Sequence, residues 1–274
     1  MISLMLFPFI ACLILSGIYV YFGTHIVKRE LIFVDLALAQ IAVLGSLVPN
    51  LFGWENVSII SYGLSILFIG LGSWVFSSVD LKKFHIHQEA FIGIIYVISA
   101  ACSILMVSKS TAEAESIKEM LVGNILFISV TEVLILGGLC TCIGVFHYLF
   151  RNNFNQLTLS YGTNRGVPRS KKWDFLFYIS FGLVVTYSVK MAGILLIFSF
   201  LIIPAIAAQI FCKIFNTRAS SLLIAWTLSF LGSVLGIYVS AQFDLPTGAS
   251  IVTTLGLVFF IVLTVGQLTY TPKD

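Results

Sequence analysis

Ala192-Gly-Ile-Leu-Leu-Ile-Phe-Ser-Phe-Leu-Ile-Ile-Pro-Ala-Ile-Ala-Ala-Gln-Ile-Phe-Cys212 holds no charged side chain and is bounded by Lys190 and Lys213. A helix rises about 1.5 Å per residue, so roughly 20 apolar residues cross the roughly 30 Å hydrocarbon layer of a bilayer. This stretch has that length and is apolar on every face, which in water would leave it without cover. Comparable runs recur on both sides of it, between charged or turn-rich breaks. They lie at 3–22, 31–49, 57–79, 89–108, 130–150, 173–189, 219–240 and 249–268, so that nine spans are expected and eight or ten are compatible with the breaks.

The composition agrees with an all-α polytopic membrane protein. Of 274 residues, 59% are hydrophobic and 10% charged, against about 25% charged in a soluble domain, and the mean hydropathy is +1.05. The breaks leave no room for a separate soluble domain, and no internal repeat or low-complexity tract is visible. Cytoplasmic loops retain Lys and Arg. With the N-terminus outside, twelve of the 15 basic residues face the cytoplasm and only Lys109, Lys118 and Lys190 lie outside, so a cytoplasmic C-terminus is expected. Glu55, Glu113, Glu115, Glu119 and Asp244 then give the outer loops a mildly acidic character, either as solvated loop charge or as a surface for cations or a basic partner.

No positive charge precedes the first run, and His25-Ile-Val-Lys28-Arg29 follows it, so it reads as a retained anchor and not a signal peptide. Cys12, Cys102, Cys140, Cys142 and Cys212 fall in or beside apolar runs, where free Cys packs as a small hydrophobe. Cys140-Thr-Cys142 lacks the spacer of a redox or zinc pair. No Gly-Lys pair exists to build a phosphate cradle. There is also no His-Glu-x-x-His helix and no Gly-x-Ser-x-Gly elbow, so familiar enzymatic signatures are absent. Ser129-Val-Thr-Glu132 fits a capping box at the head of the fifth span. Gly232-Ser-Val-Leu-Gly236 spaces two glycines for close helix contact. His85-Ile-His87 places two imidazoles together without completing a metal site.

Asp35 is the most informative ionisable residue, because a carboxylate in a membrane span is costly and usually faces a bundle interior or an aqueous path. On an ideal helix Asp35, Ala39, Ala42 and Ser46 fall within about 60° of one another. That polar, small-residue stripe is either a packing seam or part of a translocation path, and the two roles are compatible. Gln40 lies about 140° away on the same projection.

Four segments together resemble the permease subunits of bacterial ABC importers for zinc, manganese and related divalent metals. They are Asp35 to Gly45, Gln88-Glu-Ala-Phe-Ile-Gly-Ile-Ile-Tyr96, Gly193 to Ala208 around Pro204, and Asp244-Leu-Pro-Thr-Gly-Ala-Ser-Ile-Val252, with Met120 to Glu132 as a looser fifth. The resemblance implies one permease domain over 1–274, with a cytoplasmic coupling loop at about 151–172. It implies a second permease copy, a cytoplasmic ABC ATPase, an extracytoplasmic metal-binding protein and a bacterial inner membrane as surroundings, with no nucleic acid. ATP would be used by the partner, and this chain would bind no cofactor of its own.

Within that frame Asp35 and Gln40 become candidates for the substrate path, with Asp35 the candidate metal contact. Ala39, Ala42, Ser46 and Pro204 would line or pack it, and Gly162, Arg165 and Arg169 would couple to the ATPase. The family's second span usually carries Asp followed four residues later by His. Here Gln40 takes the histidine place, Leu36 the aspartate place, and Asp35 comes one residue early. An amide is a poor ligand for zinc, so harder ions gain ground and the metal stays open among zinc, manganese and iron. Three rivals remain: a secondary ion transporter; an ABC permease for a chelate such as haem or cobalamin; and an intramembrane enzyme or assembly factor using His147, Cys140 or His85 with His87.

Overall fold

The structure is a computed structural model that describes residues 2–51, 58–79, 87–107, 123, 125–161, 169–215 and 220–269. It consists of α1 (Ile2–Arg29), α2 (Val34–Leu51), α3 (Ser58–Ser78), α4 (Gln88–Val107), a 3-10 turn (Ile125–Phe127), α5 (Val130–Leu149), α6 (Arg151–Tyr161), α7 (Lys171–Ala192), α8 (Ile194–Phe215), α9 (Ser221–Phe243) and α10 (Thr247–Thr269). Among the described residues eight helices are long and apolar enough to cross a membrane, namely α1, α3, α4, α5 and α7 to α10. The apolar part of α2, Val34–Pro49, is shorter. All nine expected runs are therefore helical, and the second differs from the others in length. It differs in surroundings too, since no residue from Val34 to Pro49 is exposed.

One helix runs longer than expected, and another lies in the stretch where the resemblance places a short coupling helix. The first helix continues past Phe22 to Arg29, and Arg29 is buried instead of flanking the span. The basic stretch after Phe150 is helical from Arg151 to Tyr161. Its apolar content is too low to stand out, yet Phe154, Leu157, Thr158 and Ser160 are buried while Arg151, Asn152, Asn155 and Gln156 are exposed, the one-sided pattern of a surface helix.

The chain forms two compact units. The first comprises Met1–Val27, Leu121–Cys142 and Met191–Asp274, and in it α8, α9 and α10 pack on one another. The paired glycines of α9 make that possible: a Cβ on Gly232 would strike Leu255, and one on Gly236 would strike Ile251. The carbonyl of Gly232 also accepts a bond from the Thr254 hydroxyl at 2.8 Å. Asp244 ends α9 in the left-handed region, its N–H donating to Ser240 O. The Ser240 and Thr247 hydroxyls then meet at 2.9 Å, so Asp244 to Thr247 is a tight corner between two spans.

Gly193, with φ 77, separates α7 from α8, and Gly123, with φ 65, has no room for a Cβ against the backbone of Ala192 and Gly193. At the head of α5 the capping box forms as read from sequence. The Ser129 N–H donates to Glu132 Oε2 at 2.8 Å, and the Glu132 N–H donates back to Ser129 Oγ at 3.3 Å.

The second unit comprises Lys28–Met120 and Ile143–Lys190. Its centre is α2, packed against α3 and α4.

Candidate functional site

The first turn of a helix leaves backbone amides without internal partners. Ahead of α2 those amides are met by a side chain from another helix. Glu89, in the first turn of α4, accepts the Ile32 N–H at 2.9 Å and the Phe33 N–H at 3.1 Å. A carboxylate there also suits the positive end of the helix dipole. Asp35 follows in the first turn of α2, 2% exposed, and its Oδ1 has no hydrogen-bond partner. Leaving such an atom unsatisfied costs about 1–3 kcal/mol.

The small residues that share a face with Asp35 do pack closely. Ala39 and Ala42 are buried and Ser46 is half-buried, its hydroxyl turned back to Val43 O at 2.7 Å. The carbonyl of Ala42 accepts the Ser65 hydroxyl of α3 at 2.9 Å. A Cβ on Gly45 would sit 2.8 Å from the Leu64 carbonyl oxygen. The stripe therefore merges into an α2–α3 seam away from Asp35. Gln40 is also interior at 6% exposure, on the other side of a helix that has no exposed side. Pro204 lies buried within α8 in the first unit, where its ring removes an amide from the helix ladder.

A second constellation gathers around Asp174, in the first turn of α7 and fully buried. The Tyr161 hydroxyl, at the end of α6, donates to Asp174 Oδ2 at 2.6 Å, and Arg169 Nε donates to the same oxygen. Arg29 NH1 stands 3.7 Å from Asp174 Oδ1, and both side chains are completely buried. Arg29, the last residue of α1, also donates to Thr158 Oγ1 of α6 at 3.0 and 3.1 Å. Its guanidinium lies 3.8 Å from the centre of the Phe177 ring.

Arg169 reaches further still. One terminal nitrogen donates to the Phe76 carbonyl near the end of α3, and the other to Gln88 Oε1 at the start of α4, both at 2.9 Å. Gln88 in turn donates to the Phe76 carbonyl at 2.7 Å. Burial, with the neighbouring Tyr178 and Asp174, holds the Tyr161 hydroxyl well above its ordinary pKa, so it stays a neutral donor. Nearby, His147 Nε2 meets the Ser180 hydroxyl at 2.8 Å, and its ring stacks on Phe154 at 4.0 Å. That histidine locks α6 to α5 and α7.

Asp35, Gln40, Ala39, Ala42 and Ser46 thus share one enclosed helix, and Arg169 points into its own chain. Gly162, Arg165 and His85 lie outside the described residues, while His87 is exposed. No group of three or more His, Cys, Asp and Glu suited to a metal ion occurs among the described residues. Sequence reading passed over Asp174, Arg29, Tyr161 and Glu89. A signal existed for Asp174, a carboxylate inside a run read as a span, as it did for Asp35. Nothing in the sequence joins it to Arg29 at the far end of α1.

The ABC 3 transport family model matches residues 1–266. The chain belongs to that family. This ABC 3 permease is a multi-pass membrane protein similar to the "High-affinity zinc uptake system membrane protein ZnuB" of Haemophilus influenzae. The two are 25% identical over 265 residues, covering 94% of this chain and 96% of the relative. It is also 26% identical over 216 residues to the "Manganese transport system membrane protein MntB" of Synechocystis sp., covering 75% of this chain and 68% of that one. Among solved structures, "PsaBC from Streptococcus pneumoniae in complex with Fab" shares the fold. Its TM-score is 0.74 at 20% identity, over 95% of this chain and 91% of that chain.

Proposed function

We propose that this ABC 3 permease carries divalent metal ions, with zinc, manganese and iron(II) as the candidates, across a bacterial cytoplasmic membrane by alternating access. ATP is bound and hydrolysed by a separate cytoplasmic ATPase, so this chain performs no catalysis and holds no cofactor. A second copy of the chain, an extracytoplasmic metal-binding protein and membrane lipid complete its surroundings. Relatives named for zinc and for manganese transport support the cargo class. The observation that carries the reading is Asp35, a carboxylate with an unsatisfied oxygen on a helix with no exposed face. A carboxylate offers a hard donor for transient contact without a closed cage.

The coupling role falls to the 151–172 stretch, where α6 turns Arg151, Asn152, Asn155 and Gln156 outward. Gly162 and Arg165 belong to the same stretch as candidates for coupling to the ATPase, and Arg169 would anchor it from within. The test is metal uptake into vesicles holding this chain, its ATPase and its binding protein, with and without ATP. ATP-dependent accumulation of one metal, lost in Asp35→Asn while assembly stays intact, is the expected result. Undiminished uptake in Asp35→Asn would remove that residue from the path. No uptake of any free metal by the verified assembly would favour a chelate as cargo.

A further inference from the structure

Resting on the permease reading, we infer that Asp174 is a positioning residue for energy coupling: through it, displacement of α6 is passed to the N-terminal turn of α2, which holds Asp35. The connection is continuous in named contacts. Tyr161 and Thr158 of α6 hold Asp174 and Arg29. Asp174 holds Arg169, and Arg169 holds Gln88, the first residue of α4. The next residue, Glu89, grips the amides of Ile32 and Phe33, directly before α2. Five helix ends therefore meet through charge-assisted bonds, which are shorter and stronger than neutral ones and resist independent movement of their partners.

Stability alone is a poor explanation for this cluster. A buried ion pair is commonly no more stabilising than well-packed apolar residues of the same volume, and its best-attested use is to specify one arrangement. Here the arrangement specified is the angle at which α6, the helix with a polar outer face, sits on the ends of α1 and α7, with α4 joined to them through Arg169. Glu89 makes the start of α2 depend on the same arrangement.

Tyr161→Phe removes one hydroxyl from the relay without changing the shape of the ring, and Gln88→Leu cuts it at a second point. Two readouts separate the possibilities. In the reconstituted transporter, metal moved per ATP hydrolysed is expected to fall by roughly three- to thirty-fold in either variant, the range for residues that couple sites without touching a ligand, while hydrolysis itself persists. In the purified chain, hydrogen exchange at the Ile32 and Phe33 amides is expected to quicken several-fold. An unchanged metal-to-ATP ratio in both variants would overturn the inference. So would transport, hydrolysis and thermal midpoint falling together with the ratio preserved, since that is the mark of a merely structural role. Should the wild-type assembly move no metal, the permease reading fails on its own, and the exchange measurement still decides whether α6 and α2 are linked.

Discussion

Replacing Asp174 by Asn preserves the shape of the side chain and removes its charge. The carboxylate is completely buried, as is the Arg29 side chain that faces it at 3.7 Å, and that of Arg169 is 14% exposed. Two unit charges about 4 Å apart attract by about 4 kcal/mol at an effective dielectric of about 20. Removing one partner of a buried pair costs about 3–5 kcal/mol, because the surviving charge is left in a poor solvent. An exposed pair would be worth about 0–1 kcal/mol, so burial decides the size of the effect. The amide of Asn can still accept from Tyr161, which keeps the result near 3 kcal/mol and not higher. For a chain of this size the thermal midpoint should drop by roughly 5 °C, followed by tryptophan fluorescence in detergent. Adding Arg29→Met to Asp174→Asn should restore part of the loss, since it removes one of the two guanidinium groups that face the lost carboxylate. A drop equivalent to less than about 1 kcal/mol, or a double variant no better than the single one, would refute the reasoning.

Two more outcomes follow from the packing and from the tyrosine. Gly236→Val should separate α9 from α10 and destabilise by about 1–3 kcal/mol through overpacking, whereas Gly256→Ala, with nothing within 4 Å of its added Cβ, should leave the thermal midpoint where it was. Burial raises the Tyr161 pKa in the folded chain, so the folded state keeps its proton where the unfolded chain, with a pKa near 10, loses it. The stability this residue contributes is complete below about pH 10 and declines above it. Melting curves at pH 8 and pH 11 should show a steeper alkaline loss in wild type than in Tyr161→Phe; equal slopes would contradict the assignment.

The spans were legible because a bilayer imposes one simple demand, enough apolar residues to cross it, and that demand is written locally. The same holds for the capping box at Ser129 and the glycine pair at 232 and 236, whose partners lie within a turn or whose meaning is only small size. Asp35 announced itself by being a charge where charge is expensive. The Asp174 cluster did not, because its members come from the ends of α1, α3, α4, α6 and α7 and only folding brings them together. Arg29 read as an ordinary flanking cation, and Arg169 as a surface contact. Helix α6 is expected only through the family resemblance, which places a short coupling helix in the 151–172 stretch; hydropathy does not reveal it, because it is short and half its surface is polar.

The expected sidedness of the chain depends on how α2 is counted. Its apolar part, Val34–Pro49, is shorter than the other eight spans, and parity turns on whether it is counted. With α2 counted, nine crossings would put the two ends of the chain on opposite faces, and the basic residues would divide twelve to three. Without it, every later loop changes sides and the same residues divide ten to five, a far weaker asymmetry for the insertion machinery to read. The expected sidedness of every later loop therefore hangs on one enclosed helix.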